Sequence, residues 1–273
     1  MKTSSIIAHT VACAFGTSAH AAMTAGNLLA YYNFDGQTDN QFGPAPATVL
    51  NGPAVIAPGT GFSGDANDGS LDLGPGANAA FAQTPAGSHF DSLTTNNAFS
   101  VSFWQFNIAN SNSSAFWLHA PDSDGNMRGA QAHTPWGNGT VYFDQSGCCD
   151  PGERLSIAGV TNINVWQHFV FQRDAAGDRE IWIDGALVAS AGGADPVDPF
   201  DGIFTIGAEG PSIPPGNNSF NGRFDEFAVW NTTLEAAEIG ILAGGAVTTT
   251  LIPEPSGILL GLLGLTLGFR RRR

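Results

Sequence analysis

Alternation of apolar and polar residues is the strongest pattern along the chain. In Phe99-Ser-Val-Ser-Phe-Trp-Gln-Phe106, residues Phe99, Val101 and Phe103 share one face of an extended segment. That is the two-residue period of a strand with one buried face. Val165-Trp-Gln-His-Phe-Val-Phe-Gln172 and Arg179-Glu-Ile-Trp-Ile-Asp184 read the same way. Asp184-Gly185 is a favoured two-residue hairpin turn, and Ala186-Leu-Val-Ala-Ser190 supplies the returning strand. Leu28–Phe34, Thr140–Asp144, Ile203–Gly207 and Arg223–Trp230 are further strands. Strands spaced roughly 10 residues apart between Gly, Asn and Pro turns predict a sandwich or jelly roll. One helix is expected: Thr232-Thr-Leu-Glu235 fits a capping box, Leu234, Ala237, Glu238 and Ile241 follow, and Gly244-Gly245 ends it.

Charge narrows the partners. The 273 residues carry 24 acidic and 10 basic side chains, a formal net charge of −14. Lys2 is the only lysine and Arg270, Arg271, Arg272 and Arg273 end the chain, leaving Arg128, Arg154, Arg173, Arg179 and Arg223 between them. Without clustered cations the central region is unsuited to nucleic acid or an anionic membrane surface. Charged residues make up only 12%, and the 42% hydrophobic content is enough for a core. No internal repeat or long linker divides the chain, so one domain is expected over residues 22–251.

Both ends read as addresses. Met1–Ala21 has the form of a secretory signal peptide, with Lys2, an apolar stretch from Ile6 to Phe15 and the cleavage site Ala19-His20-Ala21. Residues 252–273 contain Pro253-Glu254-Pro255, an apolar run from Ile258 to Phe269, and the four arginines. As a helix the apolar run covers only about two-thirds of a ~30 Å hydrocarbon core. Gly257, Gly261, Gly264 and Gly268 have the spacing of close helix contacts within a membrane, with the arginines on the cytoplasmic side. This order of elements resembles the PEP-CTERM sorting signal of exported proteins from Gram-negative bacteria that make exopolysaccharide. The resemblance implies processing by an exosortase, transient inner-membrane anchoring, and delivery to the cell surface or extracellular matrix.

The central segments also resemble a family. Tyr31-Tyr-Asn-Phe-Asp-Gly36, Phe99–Trp104, Trp166-Gln-His-Phe169 with Glu180-Ile-Trp-Ile-Asp-Gly185, Phe204-Thr-Ile-Gly207 and Phe220–Trp230 are similar, in order, to LamG-like domains of the concanavalin A-like lectin/glucanase superfamily. The resemblance implies an all-β, two-sheet antiparallel jelly-roll sandwich with one short C-terminal helix.

Candidate chemistry is sparser. Glucanases of that superfamily place carboxylates at alternate positions of one strand, and no Glu-x-Asp-x-Glu occurs here. Glu180 and Asp184 share a face, but Asp184 sits in the hairpin turn, and the adjacent Asp225 and Glu226 point oppositely. No catalytic residue is assigned and the domain is read as non-enzymatic; a polysaccharide-degrading enzyme of the same fold is the alternative. The resemblance implies a structural calcium shared by the first and last strands, at Asp35 and Asp225, and acidic oxygen donors suit calcium. Asp122-Ser-Asp-Gly-Asn126 looks like a fragment of a calcium loop without its downstream glutamate.

Met127–Leu155 concentrates His133, Trp136, Tyr142, Asp144, Cys148, Cys149, Asp150 and Arg154. A tryptophan beside polar groups can stack on a sugar ring; the alternative is a tryptophan that covers a sheet edge. His133, Trp136, Tyr142 and Asp144 are therefore the candidate ligand-binding set. Cys148 and Cys149 are the only cysteines after Ala21. A vicinal disulfide, metal ligation and pairing between chains all remain open, since neighbouring Cα atoms lie only ~3.8 Å apart. His89, His119 and His168 read as structural. The expected role is binding of glycan or exopolysaccharide, or service as a matrix component; a protein-binding adhesin is a further alternative.

Overall fold

A computed structural model describes residues 23–75, 79–199, 201–210 and 216–252. The signal peptide, Pro253, Glu254, Pro255, the run from Ile258 to Phe269 and the terminal arginines lie outside these residues. In chain order the strands begin with β1 (Leu28–Tyr32), β2 (Val49–Asn51), β3 (Val55–Ala57), β4 (Ser70–Pro75) and β5 (Phe81–Gln83). They continue with β6 (Phe99–Asn107), β7 (Phe116–His119), β8 (Arg128–His133), β9 (Thr140–Gln145) and β10 (Arg154–Ala158). The last are β11 (Trp166–Arg173), β12 (Arg179–Ile183), β13 (Ala186–Ala191), β14 (Phe204–Ile206) and β15 (Asn221–Trp230). Helix α1 (Asp91–Asn96) precedes β6, and α2 (Ala236–Ala243) follows β15.

These strands form two antiparallel sheets. The first runs β13-β12-β11-β6-β15-β4-β3, with β1 also on β15; the second runs β10-β9-β8-β7-β14-β5-β2. The jelly-roll sandwich expected from the alternating pattern is the fold observed. Phe99, Val101 and Phe103 of β6 are fully buried between the sheets. The Phe103 ring meets Phe227 at 5.1 Å, Phe224 at 5.4 Å, Phe169 at 5.8 Å, Phe171 at 6.0 Å and Phe116 at 6.5 Å. This aromatic stack joins strands of both sheets, so its burial holds the layers together.

The hairpin forms where the sequence places it. Asp184 and Gly185 both take positive φ, 50° and 81°, the requirement of a type I′ turn. Asp184 also accepts hydrogen bonds from His168 N (2.8 Å) and Gln167 Nε2 (3.1 Å), which ties the turn to β11. Helix α2 departs from expectation at its start: its N-cap is Glu235, boxed with Glu238, rather than Thr232. Leu234 N instead donates to Gln172 Oε1 at 2.9 Å, which keeps the chain extended for one more turn. Its buried residues are Ile239 and Leu242, while Ile241 is exposed. Helix α1 has no counterpart in the sequence pattern; it is six residues long with one buried residue, Leu93, too short for a periodic signal.

Beyond the core, α2 lies on the outer face of the first sheet. A second apolar cluster forms there from Leu28, Tyr31, Val170, Ala228 and Trp230 of the sheet with Leu234, Ile239 and Leu242. Met23, near the start of the described chain, belongs to the cluster, and Leu251 and Ile252 pack against it. The outer face of the second sheet carries the polar and aromatic residues described next.

Candidate functional site

Strand pairing sets the site. Across the second sheet, Thr205 pairs with Trp117, Trp117 with Gln131, Gln131 with Asp144, and Asp144 with Arg154. In the next row His133 faces Tyr142, and Tyr142 faces Ser156. Their neighbours Ala130, Ala132, Val141 and Phe143 point into the core. Period-two alternation therefore puts both rows on the sheet's outer face.

Trp136 is folded over this face by the turn after β8. Trp136 N donates to Thr140 O (2.8 Å) and Gly139 N to Trp136 O (2.8 Å). Asn138 Nδ2 donates to Tyr142 Oη at 3.0 Å. The indole meets the His133 ring at 4.5 Å with a 63° interplanar angle. His133 Nδ1 lies 2.9 Å from Ser113 O. A carbonyl only accepts, so Nδ1 is assigned the proton and Nε2 keeps a lone pair. Burial holds the His133 pKa below the ordinary histidine value, which keeps the ring neutral.

Asp144 is fully buried beneath the site. It accepts from Arg154 Nε (2.6 Å) and Nη2 (2.7 Å), the bidentate fork geometry of a strong pair. That pairing raises the Arg154 pKa. The guanidinium lies over Tyr142 at 4.3 Å and its Nη2 touches Cys148 Sγ at 2.7 Å. A disulfide joins Cys148 to Cys149. Arg128 lies over Trp117 at 5.2 Å and pairs with Asp124 at 3.2 Å.

Together these groups enclose a cavity of about 300 Å³ lined by His133, Trp136, Tyr142, the disulfide, Arg128, Arg154 and Glu209. Of the four residues selected from sequence, His133, Trp136 and Tyr142 line it. Asp144 does not; it positions Arg154 from below. Arg128, Arg154 and Glu209 line it without having been in that set. Glu209 follows β14 and is held by Asn217, whose Nδ2 donates at 2.6 Å. It lies more than 50 residues beyond the dense stretch, so only the fold brings it to the cavity.

The residues selected for calcium lie elsewhere, beside the first sheet. Asp225 is buried; Oδ2 accepts from Phe62 N (3.0 Å) and Oδ1 from Glu226 N (2.7 Å). Burial pushes its pKa up to about 9, with Asp68 and Glu226 adding to the rise. Burial likewise pushes Glu226 up to about 7, although it accepts from Tyr31 Oη (2.7 Å) and Thr248 N (3.2 Å). Asp35 accepts from Gly69 N (2.9 Å) and Asn33 Nδ2 (2.7 Å). A depression there is lined by Asp35, Asp65, Asp68 and Glu226, with Asp225 outside the lining. Among the described residues no group of three or more His, Cys, Asp or Glu side chains is arranged to hold a metal. In the 122–126 loop, Asp122 is occupied by the backbone N–H groups of Asn126, Met127 and Arg128. Glu180 takes hydrogen bonds from Gln172 and Trp182, so it is engaged by protein donors, as Asp184 is. His168 is also buried, and burial lowers its pKa to about 3.

Several solved structures share this architecture at low sequence identity. Domain 4 of AbnA, an extracellular GH43 arabinanase from Geobacillus stearothermophilus solved in complex with arabinotriose, aligns with a TM-score of 0.58 at 16% identity, covering 80% of this chain and 98% of that one. The binding domain of botulinum neurotoxin DC, in complex with SialylT, aligns at 0.58 and 14%, covering 81% and 52%. The receptor binding domain of a botulinum neurotoxin C/D mosaic serotype aligns at 0.61 and 14%, again covering 81% and 52%. The chain thus spans about half the length of these toxin domains. No curated protein matches the sequence. Residues 76–240, more than half of the chain, match the Laminin_G_3 family model. The chain belongs to that family, within the concanavalin A-like lectin/glucanases superfamily.

Proposed function

We propose that the protein binds glycan through the cavity on the outer face of its second sheet. The observation that carries this reading is the lining itself: Trp136 and Tyr142 beside Arg128, Arg154 and Glu209. Sugars present apolar C–H faces and a rim of hydroxyls. Aromatic surface with a few fixed polar groups is the complementary arrangement. The arabinanase domain solved with arabinotriose supports the reading by analogy of fold. Export, exosortase sorting and residence at the cell surface or in the matrix rest on the terminal segments of the sequence, and the domain is read as non-enzymatic.

The test uses residues 22–251 and exopolysaccharide from the producing organism. Saturable co-sedimentation, competed by a free sugar and lost in Trp136→Ala, is the expected result. A folded protein that binds neither exopolysaccharide nor a panel of oligosaccharides refutes the reading.

Calcium is proposed as a structural ion near Asp35 and Asp225. The chemistry of the donor set supports it: Asp68 and Glu226 lie near these two carboxylates, and their charges add to the rise that burial imposes on the Asp225 pKa. A divalent ion would offset those charges. The expected outcome is a higher melting temperature with calcium than with EDTA; equal values would remove the ion from the account.

A further inference from the structure

The Cys148–Cys149 disulfide is exposed on the inner side of the cavity rather than buried in the core. Both residues line it, Cys148 half-buried and Cys149 exposed. The pair is held from two directions. Cys148 N donates to Asp124 Oδ2 at 2.9 Å, and that carboxylate also holds Arg128. Arg154 Nη2 touches Cys148 Sγ at 2.7 Å. The disulfide is thus fixed to both guanidinium groups of the cavity. Disulfide sulfurs are polarisable and make only weak hydrogen bonds. They offer an apolar surface of fixed position inside a ring of polar side chains.

Charge and size restrict the ligand. Each arginine is already matched by a carboxylate, Arg128 by Asp124 and Arg154 by Asp144. Glu209 also lines the cavity, and among the described residues its hydrogen bond comes from Asn217 rather than an arginine. His133, held neutral by burial, adds no positive charge. The surplus is negative, which disfavours an anionic sugar. The volume of about 300 Å³ lies at the small end of ligand sites, which span ~300–1,000 Å³. It suits one sugar residue rather than a length of polymer.

We propose that the cavity takes one terminal residue of a neutral saccharide, with a C–H face of the sugar packed against the Cys148–Cys149 disulfide. Glu209 and His133 Nε2 accept from its hydroxyls, and the Arg128 guanidinium donates to them. This inference rests on the glycan-binding reading above. It adds a contact surface and a ligand class. Reduction by a dithiol removes the surface: two electrons and two protons pass to the sulfurs, the reductant closes to a cyclic disulfide, and two separate thiols remain.

The experiment measures the affinity of the oxidised full chain for immobilised oligosaccharides ending in arabinose, galactose, glucose or rhamnose. Matched probes end in a uronic acid. The expected result is binding to at least one neutral probe, with uronic-terminated probes bound at least 10-fold more weakly. Cys148→Ser/Cys149→Ser should weaken neutral binding by 10-fold or more. Wild-type protein reduced with dithiothreitol should lose affinity equally and regain it on reoxidation, which supplies the comparison if the serine variant does not fold. Neutral binding that Trp136→Ala abolishes but neither reduction nor the double variant changes overturns this inference and leaves the glycan reading intact. A preference for uronic-terminated probes also overturns it. Binding to no probe by folded, oxidised protein overturns both.

Discussion

The buried pair beneath the cavity gives the sharpest energetic prediction. Arg154→Ala removes both guanidinium contacts to Asp144, at 2.6 and 2.7 Å. The carboxylate left behind is fully buried. The nearest group able to carry positive charge is then His133, with Nε2 at 3.9 Å. Breaking a buried pair from one side costs about 3–5 kcal/mol. A limit applies, because the acid can take a proton instead; protonating an ordinary carboxyl at pH 7 costs about 4 kcal/mol. The penalty should therefore be about 3–4 kcal/mol at pH 7 and shrink by about 1.4 kcal/mol per pH unit on acidification. Asp144→Ala is milder, about 1–2 kcal/mol, because the Arg154 side chain is already 27% exposed and can be rehydrated. The double variant should cost no more than Arg154→Ala alone. Urea unfolding at pH 7 and pH 5 measures all three. Equal costs for the single variants, or costs that add in the double variant, would refute the reasoning.

Other predictions follow from the core and its buried groups. His168 is buried with its pKa lowered to about 3, so below pH 6.5 the unfolded chain binds a proton that the folded chain refuses. Its contribution is complete above pH 6.5 and is lost at about 1.4 kcal/mol per pH unit as pH falls towards 3. Glu226, raised to about 7, works oppositely, contributing below about 4.5 and losing that as pH rises. Comparing wild type with His168→Phe isolates the histidine slope, and parallel stability–pH curves would contradict it. Phe103→Ala opens the aromatic stack and should cost about 3–5 kcal/mol; calorimetry showing a loss under 1 kcal/mol would mean the stack does not join the sheets. Gly222 has φ +149°, and an added Cβ would lie 1.9 Å from Phe106 O. Gly222→Ala should therefore destabilise by about 3 kcal/mol, measured by the same denaturation assay.

Legibility in the sequence followed the range of each interaction. The central strands were readable because Phe99, Val101 and Phe103 alternate, and the hairpin because Asp184-Gly185 fixes its own backbone. Strands β2, β3 and β5, three residues each, carry too few positions for a period to emerge. Strand β8 was hidden by composition: Arg128, Gln131 and His133 are polar yet buried, because loops close over the outer face. The candidate site was legible where it is local. His133, Trp136 and Tyr142 lie within ten residues of one another and form one wall. Glu209 was illegible, because strand order alone sets it beside them. Asp144 lies beneath the cavity rather than in its lining, because cross-strand register pairs it with Arg154, which no local pattern encodes.

The second apolar cluster fixes how the molecule can be held. Met23, Leu251 and Ile252 gather on the outer face of the first sheet, while the cavity opens on the outer face of the second. A grip at Ile252 would therefore hold the domain by its back, on the face opposite the one on which the cavity opens. Neighbouring copies secured in this way would turn their mouths outward together. If the cavity takes saccharide ends as proposed above, an array of that kind would engage several branches of one polymer at once, and weak single contacts would sum to lasting attachment.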